Sequence, residues 1–335
     1  MKLFSLIKYL LKTEMKSPRN LGFTLTELVV SGLIASGLFG VAFTLVFANR
    51  NLYIRDRERT AINQDLRAAI DIVGNDIRQG GERLPSDFPA IVVVNGVGGA
   101  PDQLIVRRSL SNPLNVCGNI AAGGNSNISL SNMGISGCDT QDTTLNDWSQ
   151  FRMANGDASG IITAAIYDTT KINQPSQGIE FFPYDGEDLS DSTNLMLSRG
   201  TGTWADSYLA TDQPRIYILQ ENRYFLSSLD ADPGNCFSPG AFLTLVTNRN
   251  CATGRFGVSS QIDNFFLQVC LEDMDGNIAC QANLTAVQSA NRSAGWRTLA
   301  RVDVGFTGSR DVSSDLEIDR TIASSFFPRN VLSFD

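Results

Sequence analysis

Glu27 is a carboxylate at the edge of a stretch that carries no other charge: residues 28–49 contain no ionisable side chain at all. An isolated carboxylate beside hydrocarbon costs several kcal/mol on insertion scales, so such a residue is a functional-site hypothesis that needs a partner. No basic side chain occurs in the 22 positions that follow it. The partners on offer are the Thr24 and Thr26 hydroxyls or a group from outside the chain. The other residues with chemical potential are six cysteines, Cys117, Cys138, Cys236, Cys251, Cys270 and Cys280, and an acidic run, Asp273-Met274-Asp275-Gly276-Asn277. Histidine is absent from all 335 residues, which excludes Ser-His-Asp and Cys-His nucleophiles, histidine metal ligands and an imidazole base.

The element that must position Glu27 is the 26-residue stretch 23–48, apolar or small apart from Glu27 itself. As a helix it is about 39 Å long, enough to cross the roughly 30 Å apolar core of a bilayer with some tilt. A cleaved secretory signal has a shorter apolar core, and a soluble helix of this length has a polar face. Residues 1–22 hold Lys2, Lys8, Lys12, Lys16 and Arg19 against Glu14. That basic bias predicts a cytoplasmic N-terminus and an exported remainder. Leu52, Ile62, Leu66, Ala69, Ile70, Val73 and Ile77 then recur at helical spacing, predicting one helix over 24–79 that ends at Gly80-Gly81. Its second half, 49–80, is amphipathic, with one face free to accept a sheet. Arg50, Arg55, Arg57 and Arg59 lie just beyond the span, facing lipid, another subunit or solvent.

The residues Gly22-Phe23-Thr24-Leu25-Thr26-Glu27, followed by the apolar run, resemble the junction of the type IV prepilin-like class. The resemblance implies cleavage by a prepilin peptidase between Gly22 and Phe23 and methylation of the new amine. It also implies an assembly role for Glu27, the fifth residue of the mature chain. Glycine leaves the scissile bond without an obstructing side chain. The freed amine of a neighbouring subunit is a suitable counter-charge for Glu27, and that pairing would set one subunit's axial register against the next. Met15 offers a second start, with a compact leader from 15 to 22; the upstream segment would otherwise be an extra amphipathic cytoplasmic piece. Small residues at helical spacing (Gly32, Ser36, Gly40; Ser31, Ala35) suit close approach of helices or local bending.

Beyond residue 80 the period shortens. Strands are predicted at 90–94, 103–107, 160–167, 178–182, 215–219, 224–229, 241–247, 262–272 and 299–306. Residues 111–150, rich in Asn, Ser, Gly and Asp, are predicted to be a loop-dominated insertion. The expected fold is α+β: a long N-terminal helix on a mainly antiparallel head, 81–335, with large loops. Three segments resemble the PilW branch of minor pilins: Ile262–Asn277, Trp296-Arg297-Thr298-Leu299-Ala300-Arg301-Val302-Asp303-Val304, and Arg320-Thr321-Ile322-Ala323-Ser324-Ser325-Phe326-Phe327-Pro328-Arg329-Asn330. The chain departs from that branch in its acidic, cysteine-rich head and in Phe-Phe-Pro where an apolar strand is expected.

Six cysteines in an exported head point to disulfides. Nearest-neighbour pairing gives Cys117–Cys138, Cys236–Cys251 and Cys270–Cys280, at spacings of 21, 15 and 10. The last would clamp a hairpin, and each staple is worth about 2–4 kcal/mol. No CxxC is present to suggest a metal cluster. The run from Asp273 fails as a calcium loop, because Ile278 and Leu284 stand where glycine and glutamate belong, so a β-turn is expected. Asp185-Gly186-Glu187-Asp188 reads as surface acidity. Trp148, Trp204 and Trp296 read as core or interface aromatics, and Phe265 and Phe266 must face opposite sides of one strand.

From Phe23 onward the chain has 22 Lys+Arg and 34 Asp+Glu, with Lys171 the only lysine, so it is not built to grip a DNA backbone. No cofactor is implied. The resemblance implies a minor pilin in the initiation or tip complex of a type IV pilus. It would be anchored in the inner membrane with a periplasmic head and later displayed on the pilus at the cell surface. Its partners would be the prepilin peptidase, other minor pilins, the major pilin, the inner-membrane assembly platform and membrane lipid. A J-like pseudopilin of type II secretion shares the same junction. A tethered periplasmic adhesin, using loops 111–150 and 183–212, or a carboxylate-dependent hydrolase are readings from other classes.

Overall fold

The computed structural model describes residues 24–330, apart from 86, 97–101, 125–126, 133, 140, 158, 173–177, 229–239, 248–253, 274, 285–297 and 314–315. It has the α+β architecture expected from the sequence. A 55-residue helix, α1 (Leu25–Gln79), opens the described chain. It is followed by β1 (Ile91–Val94), β2 (Gln103–Ser109), β3 (Leu114–Asn115), β4 (Ile128–Ser129), the helix α2 (Asp142–Asn155), β5 (Ile162–Tyr167), β6 (Ile179–Asp188) and β7 (Met196–Arg199). Then come β8 (Arg215–Tyr217), β9 (Leu219–Ser227), β10 (Phe242–Thr247), β11 (Arg255–Ser259), β12 (Asn264–Glu272), β13 (Ile278–Gln281), β14 (Leu299–Ser313) and β15 (Leu316–Phe326). The chain divides into two compact units, residues 1–57 and 58–335.

In the first unit, the described residues 24–53 are all exposed. The helix there is apolar enough to cross a bilayer, with a mean hydropathy of 2.1 in its most apolar window and none of that window buried. Its few polar side chains are satisfied within the helix. The Ser31, Ser36 and Thr44 hydroxyls donate to the carbonyls three residues back, at 3.0, 2.9 and 2.8 Å. In lipid, where no water is available, such internal pairing is what makes hydroxyls tolerable. Added methyls at Gly32, Gly37 and Gly40 would meet nothing within 4 Å.

In the second unit, the rest of α1 buries Ile62, Leu66, Ala69, Ile70, Val73, Gly74 and Ile77, one stripe at alternating three- and four-residue spacing. Each large apolar side chain so buried stabilises by about 1.5–3 kcal/mol. The stripe shares a core with two antiparallel sheets. One has the order β1-β2-β9-β10-β11 and the other β13-β12-β14-β15. The sheets are tied where Val93 and Leu284 exchange backbone hydrogen bonds of 2.9 and 2.8 Å. Polar contacts set the helix's position on them. Arg310 of β14 reaches Glu58 and Asp65, each at 2.9 Å. Asp76 accepts from the Asn222 amide at 2.6 Å and from the Tyr224 hydroxyl on β9. At the helix end, Gly81 takes φ +81, and the Asn330 amide donates to the Gly80 carbonyl at 3.3 Å, so the last described residue caps the helix.

Residues 111–150 are loop-dominated, as expected from the sequence, with only β3, β4 and the start of α2 as regular structure among the described residues. With 151–218 they form a second lobe inserted between β2 and β9, containing a six-stranded antiparallel sheet of order β3-β8-β5-β6-β7-β4 and the helix α2. It has its own core, in which Trp148 and Trp204 are almost wholly buried with Phe182, Tyr184 and Tyr208. The Trp148 indole donates to the Asn112 carbonyl at 2.8 Å, so its polar end is satisfied. The segment 320–326, expected only as a terminal piece, is part of β15, paired along β14 from Val302–Phe326 outward.

Gly74 marks the tightest approach of α1 to its sheet. A Cβ there would lie 2.1 Å from the ring of Phe326, a ring that is 3% exposed and covered by Arg78 at 5.1 Å. Gly74→Ala gains about 1 kcal/mol of helix propensity. Overpacking against a ring that cannot retreat costs about 1–3 kcal/mol. A net loss of stability is expected in chemical melts of the variant, and an unchanged or raised midpoint would refute this account of the contact.

Candidate functional site

The start of α1 is built by its own residues. The Thr24 backbone N–H and hydroxyl both donate to Glu27 Oε2 at 3.0 Å, and the Glu27 N–H donates back to Thr24 Oγ1 at 3.3 Å. This is a reciprocal capping box: it satisfies donors that the first turn would leave orphaned, and it places an acid at the positive end of the helix. The Thr24 and Thr26 hydroxyls also lie 3.1 Å apart. Among the described residues Glu27 Oε1 makes no hydrogen bond. One carboxylate oxygen is thus held by the helix and the other is presented outward. Gly22 and Phe23, the residues of the expected cleavage junction, lie outside the described residues.

In the head, Cys117 is bonded to Cys138 and Cys270 to Cys280. The first bridge closes the 118–137 segment onto the edge of the second lobe. There the buried Gln141 side chain donates to the Leu130 carbonyl at 2.7 Å and accepts from the Asn115 N–H at 2.6 Å. The second bridge joins directly opposed residues of β12 and β13. Asp303 brings a carboxylate within 4.8 Å of these two sulfurs, but sulfurs committed to a disulfide are not thiolate ligands. Cys236 and Cys251 lie outside the described residues, as does Trp296.

The turn after β12 consumes its own acid. Asp273 Oδ1 accepts from the Asp275 and Asn277 N–H groups at 2.9 and 2.8 Å, Oδ2 accepts from the Asn277 amide at 3.1 Å, and Gly276 takes φ +82. These donors hold the Asp273 carboxyl below its usual range, the Asn277 backbone contributing most. Phe265 is 3% exposed and stacks on Phe306 with centroids 5.0 Å apart, whereas Phe266, on the other face of the strand, is 50% exposed. The 183–212 region holds most of β6's second half and all of β7. Asp188 and Asp191 there are bonded into local turns by Ser190 and Thr193.

Glu187 departs from its reading as surface acidity. Its side chain is 6% exposed and receives Arg152 through two nitrogens, each at 3.0 Å, together with the Ser149 and Tyr184 hydroxyls. Arg152 also covers the Tyr184 ring at 5.4 Å. Glu187 is therefore the polar clasp that fixes α2 to β6. No periodic signal could announce it, since the partner lies 35 residues away.

No protein-family model, curated protein or solved structure matches this chain. A long apolar N-terminal helix whose second half packs on an antiparallel head is consistent with a type IV pilin-like fold, and so with a structural subunit of that general kind. It is also consistent with a single-pass membrane protein bearing an extracytoplasmic head. The overall fold resembles that non-catalytic architecture, and among the described residues no active-site signature is evident.

Burial raises the Glu187 carboxyl, but the bonds from Arg152, Ser149 and Tyr184 outweigh it and hold it below the usual 4.5. The folded value being the lower one, its stabilising contribution is complete above the unfolded value and drains away as pH falls through the folded one. Thermal melts followed by tryptophan fluorescence should show a plateau near neutral pH and a decline below about pH 4. Glu187→Gln should lose about 3 kcal/mol at neutral pH and show a shallower acid decline, as expected for a broken buried pair. Equal stability of the two proteins at neutral pH would contradict the clasp.

Proposed function

We propose that this chain is a minor pilin of the PilW kind, a non-enzymatic subunit of the complex that initiates or tips a type IV pilus. The observation that carries the reading is the capped start of α1. Glu27 offers one free carboxylate oxygen at the head of a 26-residue apolar span, five residues into the chain that would begin at Phe23. Prepilin peptidase would cut after Gly22 and methylate the Phe23 amine, which stays cationic. In a bundle of like helices that amine, on a neighbouring subunit, meets Glu27 Oε1, while Oε2 remains bonded to Thr24. Capping and intersubunit pairing thus use different oxygens and do not compete.

The leader would occupy residues 1–22, the membrane part of the helix 23–48, its amphipathic half 49–80 and the periplasmic head 81–335. Before assembly lipid would cover the exposed span; afterwards the helices of other minor pilins and of the major pilin would, drawn from the membrane by the inner-membrane platform. The inserted second lobe supports a low-copy position. A head enlarged by about a hundred residues fits most simply where it does not repeat around a shaft, at the tip. The arginines at 50, 55, 57 and 59 would then lie at the outer surface of the inner membrane, against phosphates or acidic neighbours.

Glu27→Val tests the pairing without altering the cleavage junction. Peptidase processing should proceed as in the wild type, while incorporation into sheared pili falls at least about tenfold, the equivalent of about 1.4 kcal/mol lost from assembly. Incorporation at the wild-type level beside normal processing would remove the proposed role of Glu27.

A further inference from the structure

One cleft in the head has features that neither the core nor the proposed assembly chemistry uses. It lies where the turn leading into β1 meets β8 of the second lobe. Two adjoining cavities of about 360 and 480 Å³ share Pro85, Arg215 and Tyr217 as walls. The smaller is polar and includes Asp87, Asp168 and Asp212, so its walls are net negative even with Arg215 counted. The larger continues over Leu84 and Pro113.

Two independent observations single this cleft out. Asp168 is 2% exposed, and its Oδ1 is taken by the Thr170 N–H and hydroxyl at 2.8 and 2.7 Å, yet its Oδ2 is buried without a hydrogen-bond partner among the described residues. Buried polar atoms in native proteins are ordinarily paired, so a carboxylate oxygen left so on the wall of a cavity marks a missing donor. The Tyr217 side chain, also buried, forms the wall shared by the two cavities. The backbone also departs from its relaxed state here. Of the three non-glycine residues with positive φ among the described residues, Arg83 (φ 56) and Gln213 (φ 52) both line this cleft. Strain of this kind persists where the surrounding structure enforces a binding geometry.

We propose that the cleft binds a cationic nitrogen group, ammonium or guanidinium, carried on an apolar stem. Its charge sits at Asp168 Oδ2 and its stem lies over Pro85 and the Tyr217 ring towards Leu84 and Pro113. The Asp168 oxygen requires a donor, and a cation supplies the strongest hydrogen bond to it. A bare divalent ion fits less well: Asp87, Asp168 and Asp212 do not bring their oxygens within 4.8 Å of one another. A planar or tetrahedral nitrogen group needs only the one buried carboxylate. The same chemistry is offered by the lysine or arginine side chain of a partner protein and by a free alkylamine.

The test uses the full chain in detergent, titrated calorimetrically with n-butylguanidinium, with an acetylated and amidated Gly-Gly-Arg-Gly-Gly peptide, and with calcium chloride. Saturable binding of the guanidinium probes is expected, weakened at least about tenfold by Asp168→Asn, which keeps the Oδ1 bonds to Thr170. The melting midpoint of Asp168→Asn, read alongside, should stay close to that of the wild type, because Thr170 still holds Oδ1. Tighter binding of the peptide than of n-butylguanidinium supports a protein side chain as the natural occupant, and equal binding supports a small cation. No saturable binding by either guanidinium probe, binding untouched by Asp168→Asn, or saturation by calcium alone would overturn the proposal.

Discussion

A single helix must satisfy two environments, and the rest of the molecule follows from that constraint. From Glu58 to its end, α1 is covered on one side by two sheets of its own chain, through the stripe that runs from Ile62 to Ile77. Over residues 24–53 it has no covering at all among the described residues, although this is its most apolar part. Water cannot cover such a surface cheaply, so lipid or other helices must.

The head holds that element at several points of different chemistry. Gly74 lets the Phe326 ring lie directly on the helix backbone, Arg310 pairs with one acid at the start of the packed half and another two turns on, and Asp76 is held by β9. Asn330 closes the far end. The grip on the packed half of α1 is thus shared by β9, β14 and β15 and does not rest on a single strand. The second lobe lends Ala165, Tyr167 and Tyr217 to the core that α1 enters. Otherwise it folds around its own aromatic core and is fastened by a disulfide, by the Glu187–Arg152 clasp and by a buried carboxylate, Glu180, that accepts from the Tyr208 hydroxyl at 3.0 Å.

Much of this was legible in the residues, and the exceptions have physical causes. The helix could be read because its apolar period is sustained over seven turns and its charges vanish abruptly after Glu27. The larger strands of the two helix-bearing sheets could be read from β-branched runs such as 91–94 and 103–106. The helix α2 could not: its sequence, DTTLNDWSQFRMAN, is rich in residues that favour turns, its N-terminal residue makes no side-chain cap, and only Leu145, Trp148 and Ser149 are buried. The two-residue strands β3 and β4 are too short for any period, and they exist because neighbouring strands supply the pairing. Glu187 was hidden in an acidic run whose last member, Asp188, does face water. The capping box, by contrast, was present in the spacing of Thr24 and Glu27. It shows that an acid can serve its own helix and still offer an oxygen to another. The strain at Arg83 and Gln213 left no trace, since glycine, the usual sign of positive φ, is absent from both positions.

The central claim is that a cytoplasmic leader is removed to free the amine that neutralises a neighbour's Glu27. It is tested most directly by mass spectrometry of the protein isolated from its own membranes. The account predicts a mature chain beginning at Phe23 with a methylated amine. A native chain in which Gly22 and Phe23 remain joined, in cells whose processing peptidase is active, would contradict it.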